Sequence, residues 1–318
     1  MKSEKFASAP QFFTFFFFFL PVKRELSILI PVYNGHCLSL VTELSRQAEA
    51  VEGLIYEIIV ADDGSPDAAC VEANRPIEHL PYCRYVVRSE NIGRSAIRNF
   101  LAREAQYCWL LYLDGDMSIV RPDFLQNYLN DDSSNVAYGG YTVGHAETSC
   151  LRYLYEKGAE ASHTVEQRRL QPYRDFHTAN FMVSREVMTA HPFDERFRHY
   201  GYEDVFWGKQ LRQAGIAITH IDSPAHFAIF EDNAHFVAKT EEGLRTLHQF
   251  RDDLRGYNNL LTFVNGIHLS PVKWGIRLWH LLFGSLERRL LCGSHPSLTL
   301  FKLYKLGYYL SLEFRIKS

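Results

Sequence analysis

The sequence predicts an α/β protein with a mostly parallel sheet flanked by helices, and three observations lead to this fold class. Strand and helix patterns alternate at regular spacing from Leu26 onward. Several strand segments are short, continuous apolar runs, as in strands that are buried on both faces. Each of these runs stops at glycine, asparagine or aspartate. Such alternation is typical of parallel strands joined by right-handed helical crossovers.

The first half of the chain supplies these elements in order. LSILIPVY is a strand that stops at Asn34-Gly35, and helical spacing follows over residues 38–52. YEIIVADDGS is the second strand and CRYVVRSE a weaker third. GRSAIRNFLAREA is a helix that leads into the fourth strand, WLLYL. In such sheets, ligands bind beyond the carboxyl ends of the strands.

After about residue 123 the alternation loosens. NVAYGGYTVG fits a strand, YLYEKGAEASHTVEQRRL a charged, solvent-facing helix, and FHTANFMVSREVM a strand running into a helix. HYGYEDVFWGKQLRQAGIAITHID indicates a loop, an amphipathic helix closed by Gly215, and a strand. We therefore predict one domain over residues 26–265, with a regular half at 26–122 and a looser half at 123–265.

The two ends of the chain differ from this domain. Residues 1–25 form an apolar tail whose richest stretch, Phe12 to Leu20, is shorter than the ~20 residues of a spanning helix. A loosely packed tail and a plug that touches a membrane both fit it. Residues 266–318 form a helical extension, and from Pro271 onward it carries eight basic and two acidic residues interleaved with aromatic ones. This pattern fits either contact with an anionic membrane through 271–318 or an ordinary helical cap.

Overall charge and cysteine usage narrow the class of protein. The formal net charge of −3 argues against a nucleic-acid partner. The six cysteines show no regular spacing, which suits reduced thiols in the cytoplasm. The expected location is cytoplasmic, with peripheral contact at the inner face of the cell membrane as the alternative.

The fourth strand ends in two carboxylates, Asp114 and Asp116, separated by Gly115. Burial and mutual repulsion both raise the free energy of such a pair. Mn²⁺ or Mg²⁺ would offset this cost, because both ions prefer oxygen ligands and Mg²⁺ is often shared between carboxylates and phosphates. When the motif is taken alone, an aspartate-glycine turn without a metal explains it better.

Five segments in this order carry a family resemblance: SILIPVYNG, EIIVADDGSPD, ENIGRSAIRN, WLLYLDGDM and GYEDVFWGKQLRQAGI. Together they resemble the family 2 glycosyltransferases, which have a GT-A type fold. The later part resembles the galactosyltransferase-type half of β-1,4-galactosyltransferases and bacterial polysaccharide polymerases. The resemblance covers about Leu26 to Phe230, and it implies that residues 26–122 form a nucleotide-sugar-binding half and residues 123–265 an acceptor half.

The resemblance implies nucleotide-sugar binding at the strand ends and on the helix that follows them. The residues concerned are Pro31, Tyr33, Asn34, Asp62, Asp63, Arg94, Arg98 and Asp114. For each arginine taken alone, a surface ion pair is the simpler explanation. The resemblance also implies a Mn²⁺ or Mg²⁺ site formed by Asp116, Asp114 and His226. Such a metal would act as a Lewis acid on the leaving UDP.

The Glu203-Asp204 pair is the second predicted constellation. In the resembling families the second acidic residue is the general base, which corresponds to Asp204, and Glu203 would bind the acceptor or orient the loop. A helix cap is the alternative for this pair. Trp207 and Tyr202 are the predicted acceptor contacts, although a core role for Trp207 fits equally. Tyr202 stands where β-1,4-galactosyltransferases have glycine.

The sequence therefore predicts an inverting, metal-dependent glycosyltransferase of cell-surface polysaccharide synthesis. It would move a hexose or N-acetylhexosamine from a UDP-sugar to a glycan or lipid-linked sugar acceptor. A nucleotidyltransferase acting on sugar phosphates is one alternative, but IPVYNGHCLSL lacks the glycine-rich loop and lysine that grip phosphates in such enzymes. A catalytically inactive module that binds nucleotide sugars is the other.

Overall fold

The structure is a computed structural model that describes residues 23–313. The apolar stretch from Phe12 to Leu20 lies outside the described residues, as do the last five residues of the chain. Within the described range, no helix is both long enough and apolar enough to cross a membrane.

The strands and helices of residues 23–313 follow the predicted alternation in the first half. The strands are β1 (Glu25–Val32), β2 (Ile55–Asp62), β3 (Cys83–Val87), β4 (Trp109–Leu113), β5 (Met117–Ser118), β6 (Val136–Tyr138), β7 (Tyr141–Val143), β8 (Asn180–Ser184), β9 (Thr219–His220) and β10 (Ala225–Phe227). The helices are α1 (Leu38–Glu49), α2 (Ala68–Asn74), α3 (Arg94–Glu104), α4 (Phe124–Leu129), α5 (Leu151–Ala159), α6 (Val165–Leu170), α7 (Arg185–Ala190), α8 (Glu203–Gln213), α9 (Asn233–Gln249), α10 (Asn259–Gly266), α11 (Ser270–Leu291) and α12 (Leu298–Leu312).

The central sheet has seven strands in the order β3-β2-β1-β4-β8-β6-β9. Four of its pairings are parallel, and β8 pairs antiparallel with both β4 and β6. All five residues of β4 are buried, as its continuous apolar sequence predicts. The prediction of a mixed, mostly parallel sheet flanked by helices is confirmed.

Helices cover both faces of this sheet and form two core layers. On one face, Ile28 and Ile30 of β1 pack with Leu40 and other side chains of α1. On the opposite face, Leu29 packs with Ile97 and other residues of α3. Because both faces are buried, the polar residues at the strand ends are left as the exposed chemistry of the sheet.

A smaller sheet, in the order β5-β10-β7, extends the second half. The single strand predicted over NVAYGGYTVG is wrong, since this segment forms β6 and β7 in two different sheets. The chain changes sheet at Gly139-Gly140. A β-carbon at Gly139 would lie 2.1 Å from the carbonyl oxygen of Ser223, and Gly140 has a φ of +81°. Glycine is therefore required at this corner.

The charged helix predicted over 153–170 is also different in the structure. It is broken into α5, a short 3₁₀ turn and α6, and α5 does not simply face solvent. Arg152 pairs with Glu156 on the same helix and lies 3.8 Å from Glu231 beyond β10. These charges have partners inside the protein, so their presence in the sequence did not indicate exposure.

The predicted helical extension forms a hairpin of α11 and α12. Arg277, near the start of α11, donates from Nε to the carbonyl oxygen of Leu310 at 2.9 Å, near the end of α12. The hairpin is held to α9 through Glu241, which accepts from Arg288 at 2.9 Å and from the Tyr304 hydroxyl at 2.6 Å. The extension therefore packs against the rest of the protein.

Candidate active site

The loop after β4 and the helices of the second half enclose a cavity of about 530 Å³. Asp114 and Asp116 line one side of it, and Glu203 and Asp204 at the start of α8 line another. Helices α5, α9, α10 and α12 complete the wall. The two acidic pairs that the sequence singled out therefore meet in one cavity.

Gly115 sets the path of the chain between the two carboxylates. A β-carbon at this position would lie 3.1 Å from the carbonyl oxygen of Pro31 and 3.3 Å from Val32, so the loop rests directly on the end of β1. The Asp116 side chain is open to the cavity. Enclosure by the protein nevertheless raises the pKa of Asp116, and the Asp114 charge raises it further.

Two arginines of α3 hold Asp114 and Glu203 in place. Arg98 Nη2 lies 2.6 Å from Asp114 Oδ1, and its Nη1 lies 3.4 Å from Glu203 Oε1. Arg94 Nε donates to the same Glu203 oxygen at 2.8 Å. Because the Arg98 side chain is only 2% exposed, its predicted contact with the nucleotide is wrong. It positions the two carboxylates, while Arg94 lines the cavity.

The Asp62-Asp63 pair at the end of β2 organises the neighbouring loops. Asp62 is fully buried and accepts hydrogen bonds from the Ser65 backbone and hydroxyl and from Tyr85. The predicted nucleotide contact of Asp62 is therefore wrong, because its oxygens serve the loop. Asp63 accepts from the backbone N–H groups of Ile92 and Gly93, each at 3.0 Å, and so fixes the start of α3.

The β1 end leaves two of the predicted nucleotide residues accessible. Tyr33 and Asn34 are exposed beyond β1, outside the set that lines the cavity, and Asn34 has a φ of +48°. The Asn34 backbone N–H donates to Ser65 Oγ at 2.8 Å, which joins the first two strand ends. Pro31 lies beneath the Asp114 loop. Nucleotide contacts of Pro31, Tyr33, Asn34 and Asp63 stay predictions.

Asp204 is paired with a histidine that sequence reasoning missed. His177 Nδ1 lies 3.2 Å from Asp204 Oδ2, and Asp204 Oδ1 accepts from the Val205 N–H at 2.8 Å. Burial opposes ionisation of Asp204, but the His177 hydrogen bond and charge outweigh it, so the pKa of Asp204 is lowered. Burial likewise opposes the charge on His177, yet Asp204 raises the pKa of the imidazole. The segment FHTAN gave no local signal for this pair.

The backbone before Glu203 is strained. Gly201 and Tyr202 both have positive φ, +96° and +72°, and α8 begins at the next residue. Left-handed backbone suits glycine and is unfavourable for tyrosine. Tyr202 lines the cavity. Asp204 lies inside the first turn and is not the residue that precedes α8, so the helix-cap interpretation does not describe it.

Trp207 is a core residue, and its predicted role in acceptor binding is wrong. Its side chain is 0% exposed, its ring stacks on Phe193 at 4.9 Å, and its indole N–H donates to the carbonyl oxygen of His191 at 2.7 Å. It lies one turn after Glu203 on the inward side of α8. No part of the ring is left for a sugar.

His226 is not among the residues that line the cavity, and its predicted role as a metal ligand stays a prediction. Strand pairing places it beside Ser118 and Thr142, and its Nδ1 lies 3.0 Å from Thr142 Oγ1. The adjacent pair, Met117 and Phe227, lines the cavity instead. Because successive side chains in a strand point to opposite faces, the two sides differ by one residue.

Sequence reasoning also missed the basic residues of the cavity wall other than Arg94, and these include Arg152 of α5 and Lys239 of α9. Lys239 Nζ lies 3.3 Å from Glu231 and 4.8 Å from the centre of the Tyr200 ring. After enclosure and the Asp114 charge, the electrostatic influences on Asp116 are Arg94, Lys239 and Arg152, which favour its ionised form. The cavity thus combines two acidic pairs with five lysine and arginine side chains, since Arg174 and Lys305 also line it.

Comparisons with known proteins identify the fold and the family. A mannosyltransferase from Pyrobaculum calidifontis, solved in complex with GDP-Man and Mn²⁺, has a TM-score of 0.54 and 14% sequence identity, covering 92% of this chain and 86% of that one. Chondroitin synthase from Escherichia coli is 28% identical over 228 residues, which are 60% of this chain and 32% of that protein.

Dolichol-phosphate mannosyltransferase from Pyrococcus furiosus is 29% identical over 172 residues, or 52% of this chain and 47% of that protein. The matched region is thus less than half the length of either curated relative. The fold is GT-A type, as the sequence resemblance implied. The glycosyl transferase family 2 model matches residues 27–190, more than half of the chain, and the protein is a glycosyltransferase that belongs to this family.

Proposed function

We propose that the protein transfers a hexose or N-acetylhexosamine, with inversion, from a UDP-sugar to a glycan or lipid-linked sugar acceptor. The observation that carries this proposal is the placement of Asp204 in the same cavity as Asp114 and Asp116. An inverting transfer needs a base on the acceptor side and charge compensation on the diphosphate side. The cavity offers a carboxylate for each task.

Asp204 is the proposed general base. Its lowered pKa keeps it ionised near neutral pH, and His177 holds one of its oxygens. It would take the proton from the acceptor hydroxyl while that oxygen bonds to the anomeric carbon and the bond from this carbon to the UDP oxygen breaks. Glu203 is held by Arg94 and Arg98, which supports a role in orienting the loop.

Asp114 and Asp116 fit a divalent cation by their donor chemistry. Both offer carboxylate oxygens. The raised pKa of Asp116 means that its surroundings disfavour the ionised form, and a cation would stabilise that form. Among residues 23–313 no group of three histidine, cysteine, aspartate or glutamate side chains is arranged to hold a metal. Mg²⁺ commonly completes its coordination with substrate phosphates and water.

When bound, Mn²⁺ or Mg²⁺ would supply Lewis-acid stabilisation of the departing diphosphate. The similar mannosyltransferase structure contains Mn²⁺ together with a nucleotide sugar, which supports this proposal. The side chains of Arg94, Arg152 and Lys239 add fixed positive charge in the same cavity. These three would orient the diphosphate whether or not a metal is present.

The nature of the acceptor rests on weaker support. The names of the two curated relatives refer to a glycan and to a lipid phosphate, so they support both acceptor classes of the proposal. Tyr202 occupies the cavity wall beside Asp204 and would restrict the acceptor. We also propose that residues 26–122 bind the donor and that residues 123–265, with their galactosyltransferase-like Glu203-Asp204 pair, bind the acceptor.

Slow hydrolysis of nucleotide sugars tests the proposal without a known acceptor. Wild type and Asp116→Asn would be assayed against panels of UDP-sugars and GDP-sugars, with Mn²⁺, with Mg²⁺ and with EDTA. The proposal expects one UDP-sugar to be hydrolysed by wild type with metal and at least tenfold more slowly by the variant. Selective hydrolysis of a GDP-sugar would overturn the donor assignment, and metal-dependent UDP binding without turnover of any donor or acceptor would indicate an inactive module.

A further inference from the structure

The outward face of α11 is apolar along its whole length. Nine large apolar residues of this helix are exposed: Val272, Trp274, Leu278, Trp279, Leu281, Leu282, Phe283, Leu286 and Leu290. Arg289 is the one charged residue of the helix in the same exposed class. A helix that faces water normally presents polar residues there. This outward face of α11 therefore lacks the composition of a water-facing surface.

The partner helix α12 has a different environment despite its similar composition. Its large side chains Phe301, Tyr304, Tyr309 and Leu310 are buried. The helical-cap interpretation of the extension thus describes α12. The membrane interpretation applies to the outward face of α11, a distinction that the aromatic and basic composition of 271–318 could not make.

The charges around this face suit an anionic surface. The two acidic residues of 271–318 are both occupied: Glu287 is buried and accepts from the Trp279 indole N–H at 2.7 Å, and Glu313 is paired with Arg277. Arg289 on the face and Lys302 at the start of α12 are exposed and basic. Basic and tryptophan side chains around an apolar helical face are typical of helices that lie in a membrane interface.

We propose that α11 binds the surface of an anionic membrane, lying flat with its outward face in the boundary between headgroups and acyl chains. Anionic lipid supplies both an apolar layer for this face and complementary charge for its basic residues. No helix in residues 23–313 is both long and apolar enough to cross a membrane, which agrees with a helix that lies on the bilayer surface.

This orientation relates the membrane to the cavity. Leu260 at the start of α10, and Phe301 and Lys305 of α12, line the cavity, and α12 packs directly on α11. Helices α11 and α12 therefore lie between the proposed membrane face and this part of the wall. If the proposed function holds, this part of the wall includes Leu260 of the acceptor half, and the acceptor would be a sugar carried on a lipid.

The distribution of tryptophan gives a site-specific test. The protein has four tryptophans; Trp109 and Trp207 are buried, while Trp274 and Trp279 lie on the proposed face. Titration of the full chain with phosphatidylcholine vesicles containing phosphatidylglycerol should shift the emission to the blue, and brominated lipid should quench it. Binding should weaken with salt and be weaker on pure phosphatidylcholine.

A matched pair of double variants separates this face from exposed apolar residues elsewhere. Leu281→Ser with Leu282→Ser removes side chains that are 81% and 65% exposed, and Leu170→Ser with Val120→Ser removes side chains that are 73% and 64% exposed. The first variant should bind vesicles at least about tenfold more weakly, since it loses the burial of two leucines. The second should bind like wild type.

Three results would overturn the proposal. One is equal vesicle binding by both variants. Another is a dimer in sedimentation that the α11 variant dissociates, which would identify a second copy as the occupant. The third is tryptophan emission that brominated lipid does not quench and that changes only when residues 1–22 are deleted. This result would identify that segment as the occupant of the face. Donor hydrolysis, measured without vesicles, should be unchanged in both variants, so failure of membrane binding stays distinguishable from failure of the proposed function.

Discussion

Replacing Asp204 with asparagine tests the proposed base directly. The substitution keeps the size of the side chain and the oxygen that accepts from Val205 at 2.8 Å, but removes the proton acceptor. General-base catalysis contributes about 10²–10⁴-fold to such reactions. At 1.36 kcal/mol per tenfold change, the barrier should rise by about 3–5 kcal/mol.

Nucleotide binding should survive this change, because the arginine contacts to Asp114 and Glu203 do not involve Asp204. Transfer would be followed by steady-state UDP release with an active acceptor, and UDP affinity by calorimetry. Asp175→Asn is the matched control, since that carboxylate lines the same cavity and influences His177. It should lower kcat by less than about tenfold. An unchanged kcat in Asp204→Asn, or a UDP affinity that falls in parallel with kcat, would refute the assignment of Asp204 as the general base.

Three further predictions follow from the same contacts. Arg98→Met should lower the free energy of unfolding by about 3–5 kcal/mol in urea titrations, since it leaves two carboxylates without their buried partner. As a control, Arg196→Met at an exposed ion pair should lower it by less than about 1 kcal/mol. Equal losses in the two variants would contradict the buried network. His177→Gln removes the charge that helps to lower the pKa of Asp204, so this pKa should rise. The acid limb of the pH profile of kcat/KM should therefore move to higher pH. An acid limb that stays in place would count against the His177–Asp204 pair. Tyr202→Gly relieves about 1–3 kcal/mol of backbone strain and opens the cavity wall, so the acceptor KM should change while the Kd for UDP stays the same; a changed Kd would assign this loop to the nucleotide.

The convergence of Asp114 and Asp116 with the other strand ends could be predicted from sequence because it follows from topology. Parallel strands place their carboxyl ends at one edge of the sheet, so a polar residue that follows an apolar run is located without further information. The same rule put Asp62 at that edge correctly. It did not reveal that Ser65 and Tyr85 occupy its oxygens, since those bonds depend on where the next loop and strand return.

The predicted residues that do not line the cavity differ from the prediction in which way a side chain points. His226 and Phe227 are adjacent on a strand of three residues, too short to show an alternating pattern, and the cavity takes Phe227. Trp207 lies on a helix with apolar residues on more than one side, and the ring cluster around Phe193 decides its direction. Orientation at these positions is set by tertiary partners that are distant in sequence, which local periodicity does not encode.

His177 shows the same limit from the opposite direction. It lies 27 positions before Asp204, in a segment without a motif, and becomes significant only because β8 and α8 bring the two side chains to 3.2 Å. His177 is 3.2 Å from the proposed base and lines the cavity. It is therefore a stronger candidate for a role in the site than any histidine chosen by its distance along the chain from Glu203-Asp204.

The two carboxylates of the DGD turn are not equivalent, and their difference explains how the fold tolerates them. Asp114 is neutralised within the protein by Arg98 at 2.6 Å and Arg94 at 3.5 Å, so its charge contributes to holding α3 against the sheet. Asp116 takes part in no ion pair in residues 23–313, and its pKa is raised by enclosure and by its neighbour. The fold thus pairs Asp114 within the protein and leaves Asp116 as an oxygen donor that faces the cavity without an ion pair in residues 23–313. This is the arrangement expected where a cation and a diphosphate complete the site.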